Sequence, residues 1–104
     1  LKESSSSACG VVIRDHRGMC LMMASRQLFH GVTAPEILEA LALRSAIALA
    51  REEGFHKLIF QSDCLTLIKK VNAAARDRSI TGSIVAEIKS VASSFVSVVF
   101  SYKP

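Results

Sequence analysis

The sequence has 104 residues, of which half are hydrophobic and 21% are charged, with a formal net charge of +4. Such a chain forms one small domain, and its composition is typical of a folded globule, which excludes a disordered tail. No apolar run reaches the ~18 residues that a membrane-spanning helix needs, because Glu39 and Arg44 interrupt the longest candidate. The first residues lack the apolar core of a signal peptide, so we expect an intracellular protein, in the nucleus or the cytoplasm.

The cysteines have no paired spacing, and each stands beside apolar residues; they are Cys9, Cys20 and Cys64. This pattern predicts buried free thiols in a reducing compartment rather than disulfides. The histidines are isolated, without a Cys or His neighbour at ligand spacing, so a zinc site is not expected.

The chain begins with a serine-rich stretch at residues 4–7, followed by a predicted β-hairpin. Residues 9–15 are rich in β-branched side chains, and Gly18 supplies the positive φ that the turn requires. Residues 19–29 are predicted to form the returning strand.

The remainder alternates between helical and strand patterns. A helix is predicted from Thr33-Ala-Pro-Glu36, where the threonine hydroxyl and Glu36 can cap the first turn, to about Glu53, with Gly54 as its terminator. The further predictions are a strand at 57–61, a helix at 65–74, a charged loop at 75–79, a helix at 81–93 and a strand at 95–102. Because helices separate the later strands, we expect parallel pairing there and a mixed α/β sheet overall.

Glu39 lies inside an almost wholly apolar helix. On the helical wheel its neighbours are small or apolar side chains, namely Ala42, Leu43, Ala46 and Ala50. The helix can therefore approach the sheet closely, which places the carboxylate at the sheet or its rim. The alternatives are an ion pair with Arg44 or another base, and a helix rotated so that Glu39 reaches solvent.

Asp63 follows an apolar strand and precedes a helix. The ends of strands in α/β sheets are places where ligand-binding groups collect, so Asp63 is a candidate site residue. The alternative is that Asp63, or equally Ser62, caps the following helix. Two carboxylates in apolar surroundings are costly unless something positive lies between them, and a divalent cation is the usual solution. Asp15, in contrast, is explained by the hairpin turn.

Basic residues cluster around the second and third helices; they are Lys69, Lys70, Arg76, Arg78 and Lys89. They form either a solvated face or a strip that follows a phosphate backbone with salt-sensitive affinity.

Four segments, in their order and spacing, resemble the ribonuclease H-like domain found in plant proteins, which is related to the ribonuclease H of retrotransposon reverse transcriptases. They are residues 10–18 (Gly-Val-Val-Ile-Arg-Asp-His-Arg-Gly), 38–44 (Leu-Glu-Ala-Leu-Ala-Leu-Arg), 48–50 (Ala-Leu-Ala) with Gly54-Phe55, and 61–65 (Gln-Ser-Asp-Cys-Leu). Residues 99–104 also resemble the last strand of that domain. The resemblance covers nearly the whole chain.

The resemblance implies a five-stranded mixed sheet flanked by helices and an acidic cluster that binds two Mg²⁺ ions. It implies a hydrolase, an endonuclease that cleaves the RNA strand of RNA–DNA hybrids, with Glu39 and Asp63 as catalytic residues and metal ligands. Basic side chains near Lys69 and Arg76 would contact phosphate. The alternative is a catalytically inactive module with the same scaffold, which binds nucleic acid or a protein partner.

The chain also departs from the family pattern. No aspartate of a first strand precedes the segment at residues 10–18, and the closing acidic residue and last helix are absent, so two of the four metal ligands are present. Residues 1–104 are therefore expected to form a single, incomplete domain. The first strand belongs in mid-sheet, so its absence predicts two exposed edges, which a partner or a second copy of the chain would pair.

Overall fold

The computed structural model describes residues 10–25, 35–74 and 79–104. These residues form four strands and three helices, which are numbered here in chain order. They are β1 (Gly10–Asp15), β2 (Cys20–Ser25), α1 (Pro35–Glu52), β3 (Lys57–Ser62), α2 (Leu65–Asn72), α3 (Ile80–Ala92) and β4 (Ser97–Tyr102). The α/β class and the order of the elements are confirmed, with boundaries that differ from the predictions by a few residues.

The four strands form one mixed sheet in the order β2-β1-β3-β4. The hairpin of β1 and β2 is antiparallel and β3 pairs with β4 in parallel, as the sequence predicts. Strand β2 and strand β3, which α1 separates, run in the same direction, but β1 lies between them.

Strands β1 and β3 pair directly and antiparallel, from Val11 opposite Ser62 to Asp15 opposite Leu58. The resemblance predicts a further strand in mid-sheet and, in its absence, two exposed edges. The direct pairing corrects this expectation, because the backbone groups of both strands are satisfied within the described sheet. No partner strand is needed at that point.

The residues of each strand alternate between two different surroundings. Val11, Ile13, Leu58 and Phe60 are buried with residues of the helices, including Leu43 and Ile88, in one apolar core. The intervening residues Val12, Arg14, Ile59 and Gln61 are only half-buried on the other side. The sheet therefore has one face that is covered by the helices and one open face.

Two glycines end elements as predicted: Gly18 has φ +90° in the hairpin turn, and Gly54 has φ +86° after α1. Thr33, the predicted start of α1, lies outside the described residues, as do Cys9, residues 26–29 of the predicted second strand and residues 75–78 of the charged loop. Cys64 is a free thiol as predicted, whereas Cys20 is exposed, which corrects the prediction that it is buried. Cys20 lies at the start of β2, an outer strand of the described sheet.

Among the described residues, no helix is long and apolar enough to cross a membrane.

Candidate functional site

Glu39 is buried in the structure, with 1% of its surface exposed, on the side of α1 that packs on the sheet. Its Oε2 atom accepts a hydrogen bond of 3.0 Å from the Ser62 hydroxyl at the end of β3. Arg44 forms an ion pair of 3.1 Å with Glu87 of α3 instead. Of the alternatives for Glu39, the pair with Arg44 and the escape to solvent are therefore wrong.

Ser62 connects the helix glutamate to the turn that follows β3. Its hydroxyl donates to Glu39 and accepts a hydrogen bond of 3.1 Å from the backbone N–H of Cys64. Sequence reasoning considered Ser62 only as a possible cap and missed its bond to Glu39. The signal was the strand alternation, because Ser62 has the same parity as Leu58 and Phe60 and so faces α1.

Asp63 is exposed and follows directly after β3. The N-cap residue of α2 is Cys64, and its side chain makes no capping hydrogen bond. The capping alternative for Asp63 is therefore wrong. Asp63 instead lines a concavity of about 370 Å³ at the edge of the open face, together with Ser62, Gln61 and Lys103. Its carboxylate is accessible to a ligand from outside.

Several acidic residues contribute to the electrostatics of the Cys64 thiol. Burial raises the pKa of the Cys64 thiol, a backbone hydrogen bond from Leu67 opposes this, and the charges of Glu39, Glu36 and Asp63 raise the pKa further. The thiol therefore stays protonated and is a poor nucleophile. The two predicted site residues, Glu39 and Asp63, both act on this one side chain, although they come from different elements.

The donor set suits a hard cation. Carboxylate oxygens are the protein ligands that Mg²⁺ prefers, and one or two of them commonly hold the ion together with water and substrate phosphates. Within the described ranges no group of three His, Cys, Asp or Glu side chains could hold a metal ion. Glu39 and Asp63 therefore fit the chemistry of one ion shared with a phosphate ligand, and not that of a complete two-ion centre.

Glu36, which the sequence assigns to the cap of α1 together with Thr33, outside the described residues, connects the helices in the structure. Its Oε2 atom accepts hydrogen bonds of 2.7 Å from both Lys70 of α2 and Thr81 of α3. Thr81 is buried, and the side chains of Glu36 and Lys70 are each about a quarter exposed. The contacts among Glu36, Lys70 and Thr81 form a partly buried junction that positions α2 and α3 relative to α1.

The predicted basic strip is divided by these contacts. Lys70 is ion-paired with Glu36, and Lys89 donates to the Ala73 carbonyl oxygen. Lys69 is exposed, and Arg76 and Arg78 lie outside the described residues. On the described part of α2, Lys69 is therefore the one exposed lysine that could belong to a phosphate-binding strip.

Comparison with protein families gives a match to the model described as reverse transcriptase-like, over residues 1–104. Comparison with curated proteins gives no match, and neither does comparison with solved structures.

Proposed function

The chain belongs to the reverse transcriptase-like family, whose ribonuclease H-like domain binds nucleic acid, and from this premise we propose that it binds RNA–DNA hybrids and cleaves their RNA strand with the help of Mg²⁺. The observation that supports this proposal is the hydrogen bond between Glu39 and Ser62 immediately before the exposed Asp63. It orients the Glu39 carboxylate at the residue that precedes Asp63, whose own carboxylate lies at the end of the strand where a ligand can reach.

The two carboxylates have different tasks in this proposal. Ser62 holds the Oε2 atom of Glu39, so the orientation of that carboxylate is set before any ligand arrives. Asp63 is exposed and can exchange water for a ligand without moving the backbone. Magnesium, when bound there, would activate the attacking water and neutralise charge on the phosphate.

The test is cleavage of an RNA–DNA hybrid that is labelled on the RNA strand, in Mg²⁺. The unchanged protein should cleave it, and Asp63→Asn should abolish cleavage while the thermal unfolding curve stays the same. Glu53→Gln is the matched control, because it also removes one negative charge from an exposed position. Glu53 lies just after α1 and before the start of β3, whereas Asp63 follows the end of β3. No cleavage by the folded protein, or equal cleavage by Asp63→Asn, overturns the nuclease proposal.

A second candidate function is a non-catalytic module on the same scaffold. The observation that favours it is that Glu39 is buried while Asp63 is exposed, and that the described residues contain no group of three metal-ligating side chains. Such a module binds nucleic acid through charge alone, or binds a protein partner or a second copy along an outer strand of the sheet. Hybrid binding in EDTA that survives both Glu39→Gln and Asp63→Asn, but weakens steeply with salt, distinguishes it from the nuclease.

A further inference from the structure

Arg14 occupies an unusual place on the open face of the sheet. The side chain is half-buried and lies, like that of Val12, on the side of β1 that faces away from the helices. Its Nε atom donates a hydrogen bond of 2.8 Å to the Gln61 side-chain oxygen, and its Nη1 atom donates one of 3.1 Å to the Gly18 carbonyl. Both acceptors are neutral, so these two bonds orient the guanidinium without compensating its charge.

None of the ion pairs found among the described residues involves Arg14. Asp15, its neighbour in sequence, points to the hairpin turn, where one oxygen accepts hydrogen bonds of 2.9 Å from the backbone N–H groups of Arg17 and Met19. A partly desolvated positive charge with neutral partners favours an anion, and the bonds to Gln61 and Gly18 leave further N–H donors for it.

Arg14 lines the same concavity as Asp63, and a second cation stands at its rim. Lys103 follows β4, and its backbone N–H donates a hydrogen bond of 2.9 Å to the Ser62 carbonyl. This bond fixes the lysine beside the end of β3, while its side chain is exposed. The concavity thus has two cations and one carboxylate, with Val12 and Gln61 between them.

We propose that Arg14 and Lys103 form a phosphate-binding site on the open face of the sheet, which holds a backbone phosphate of the nucleic acid beside Asp63. The guanidinium supplies paired N–H donors in a planar fork that suits phosphate oxygens, and the ammonium supplies a second, mobile charge. Gln61 is a positioning residue that orients Arg14. The identification of the anion as a nucleic-acid phosphate rests on the proposed function, whereas the anion site itself rests on the contacts of Arg14 and Lys103.

The site also gives the ligand a direction. A phosphate bound by Arg14 lies on the side of the sheet away from α1, while Asp63 is at the rim of the same concavity. The nucleic-acid backbone would then pass over the open face and reach the end of β3 from that side. The exposed Lys69 lies on α2, in the helical layer, and is not needed for this contact.

The experiment measures binding of a labelled RNA–DNA hybrid by fluorescence anisotropy in EDTA, at several salt concentrations. Arg14→Gln should weaken binding by about tenfold and lower the slope of log affinity against log salt by about 1, and Lys103→Gln should have a similar but smaller effect. Arg51→Gln and Lys57→Gln are the matched controls, since each removes the same charge from an exposed position outside the concavity. Their affinities should stay within about twofold of the unchanged protein.

Two further measurements distinguish failure of the phosphate site from failure of the proposed function. Arg14→Lys retains the charge without the planar fork, so its affinity should lie between those of Arg14→Gln and the unchanged protein, even if Arg14→Gln does not fold. Titration with inorganic phosphate should shift the guanidinium Nε resonance of Arg14 and leave that of Arg51 in place.

If the unchanged protein does not bind the hybrid but phosphate shifts Arg14, the proposed function fails and the anion site stands. If the hybrid binds and Arg14→Gln equals Arg51→Gln, the phosphate site is overturned.

Discussion

The two faces of the sheet are built from the same strands and differ in what they are suited to do. On the covered face, Leu58 and Phe60 are at most 2% exposed and pack against the helices. On the open face, Ile59 and Gln61 remain half-buried, and Gln61 holds an arginine. The strand alternation therefore divides the domain into a face that stabilises the fold and a face that can bind. Ser62, at the end of β3, connects the two faces, because it bonds to the buried Glu39 and precedes the exposed Asp63.

The largest effect is expected from truncation on the covered face. Phe60 is fully buried and stacks on Phe100 with ring centroids 5.7 Å apart. Phe60→Ala should lower the free energy of unfolding by about 3–5 kcal/mol through lost burial and a cavity. Ile59→Ala, one residue away on the open face, should cost about 1–2 kcal/mol, since half-burial removes part of the transfer and cavity terms. Equal losses in urea denaturation would show that the two faces do not differ as described.

The next effect tests the residue that joins the faces. Ser62→Ala removes the donor to Glu39 and the acceptor for Cys64, so it should lower the free energy of unfolding by about 1–3 kcal/mol. Ser101→Ala is the matched control on the half-buried part of β4, and it should change stability by less than about 0.5 kcal/mol. A loss at Ser62 no greater than at Ser101 contradicts a structural role for the Glu39 bond.

A smaller effect is expected in the helical layer that covers the sheet. Thr81 is buried, and its hydroxyl donates to Glu36, the partner of Lys70. Thr81→Val keeps the shape of the side chain and removes this bond to a charged group, so about 1.5 kcal/mol of stability should be lost. Thr66→Val on the exposed side of α2 is the control and should be nearly neutral. Comparison of the unfolding curves of Thr81→Val and Thr66→Val decides whether the hydrogen bond from Thr81 to Glu36 stabilises the packing of the helices.

The smallest effect on stability is expected in the hairpin turn that follows β1. Burial alone would raise the pKa of Asp15, but hydrogen bonds from the Met19 and Arg17 backbone and the charge of Arg17 outweigh it and lower the pKa below its ordinary value of 3.8. Because the folded-state pKa is the lower one, the stabilisation by Asp15 is complete above the unfolded-state pKa and is lost as the pH falls through the folded-state pKa.

Asp15→Asn should therefore be slightly less stable than the unchanged protein near neutral pH, and the difference should shrink as the pH falls below about 3.8 and vanish below the folded-state pKa. Thermal unfolding from pH 2 to pH 7 measures this convergence. A difference that stays constant over the whole range would show that the charge of Asp15 does not contribute.

Local patterns were sufficient to predict the elements. The β-branched run before Gly18, the apolar helix that ends at Gly54 and the strand before Asp63 all appear in the structure near their predicted places. These features depend on backbone preferences and on hydrophobic periodicity, which nearby residues determine. The same periodicity placed Glu39 on the sheet side of its helix.

Contacts between distant segments could not be predicted in this way. The direct pairing of β1 with β3 depends on which strand edges are left free, which no local pattern records. The bond from Ser62 to Glu39 and the junction of Glu36 with Lys70 and Thr81 depend on how the helices dock on the sheet. The metal-binding and catalytic roles of Glu39 and Asp63 remain predictions, since two carboxylates near one thiol fit a cation without demonstrating one.

The most direct test of the account follows the amide resonances of the ¹⁵N-labelled protein while an RNA–DNA hybrid is added, first in EDTA and then with Mg²⁺. The account predicts shifts at Arg14, Asp63 and Lys103 on addition of the hybrid, and a further joint shift of Glu39 and Asp63 on addition of Mg²⁺. Shifts confined to the outer surface of the helices, with the end of β3 unchanged in both steps, would contradict it.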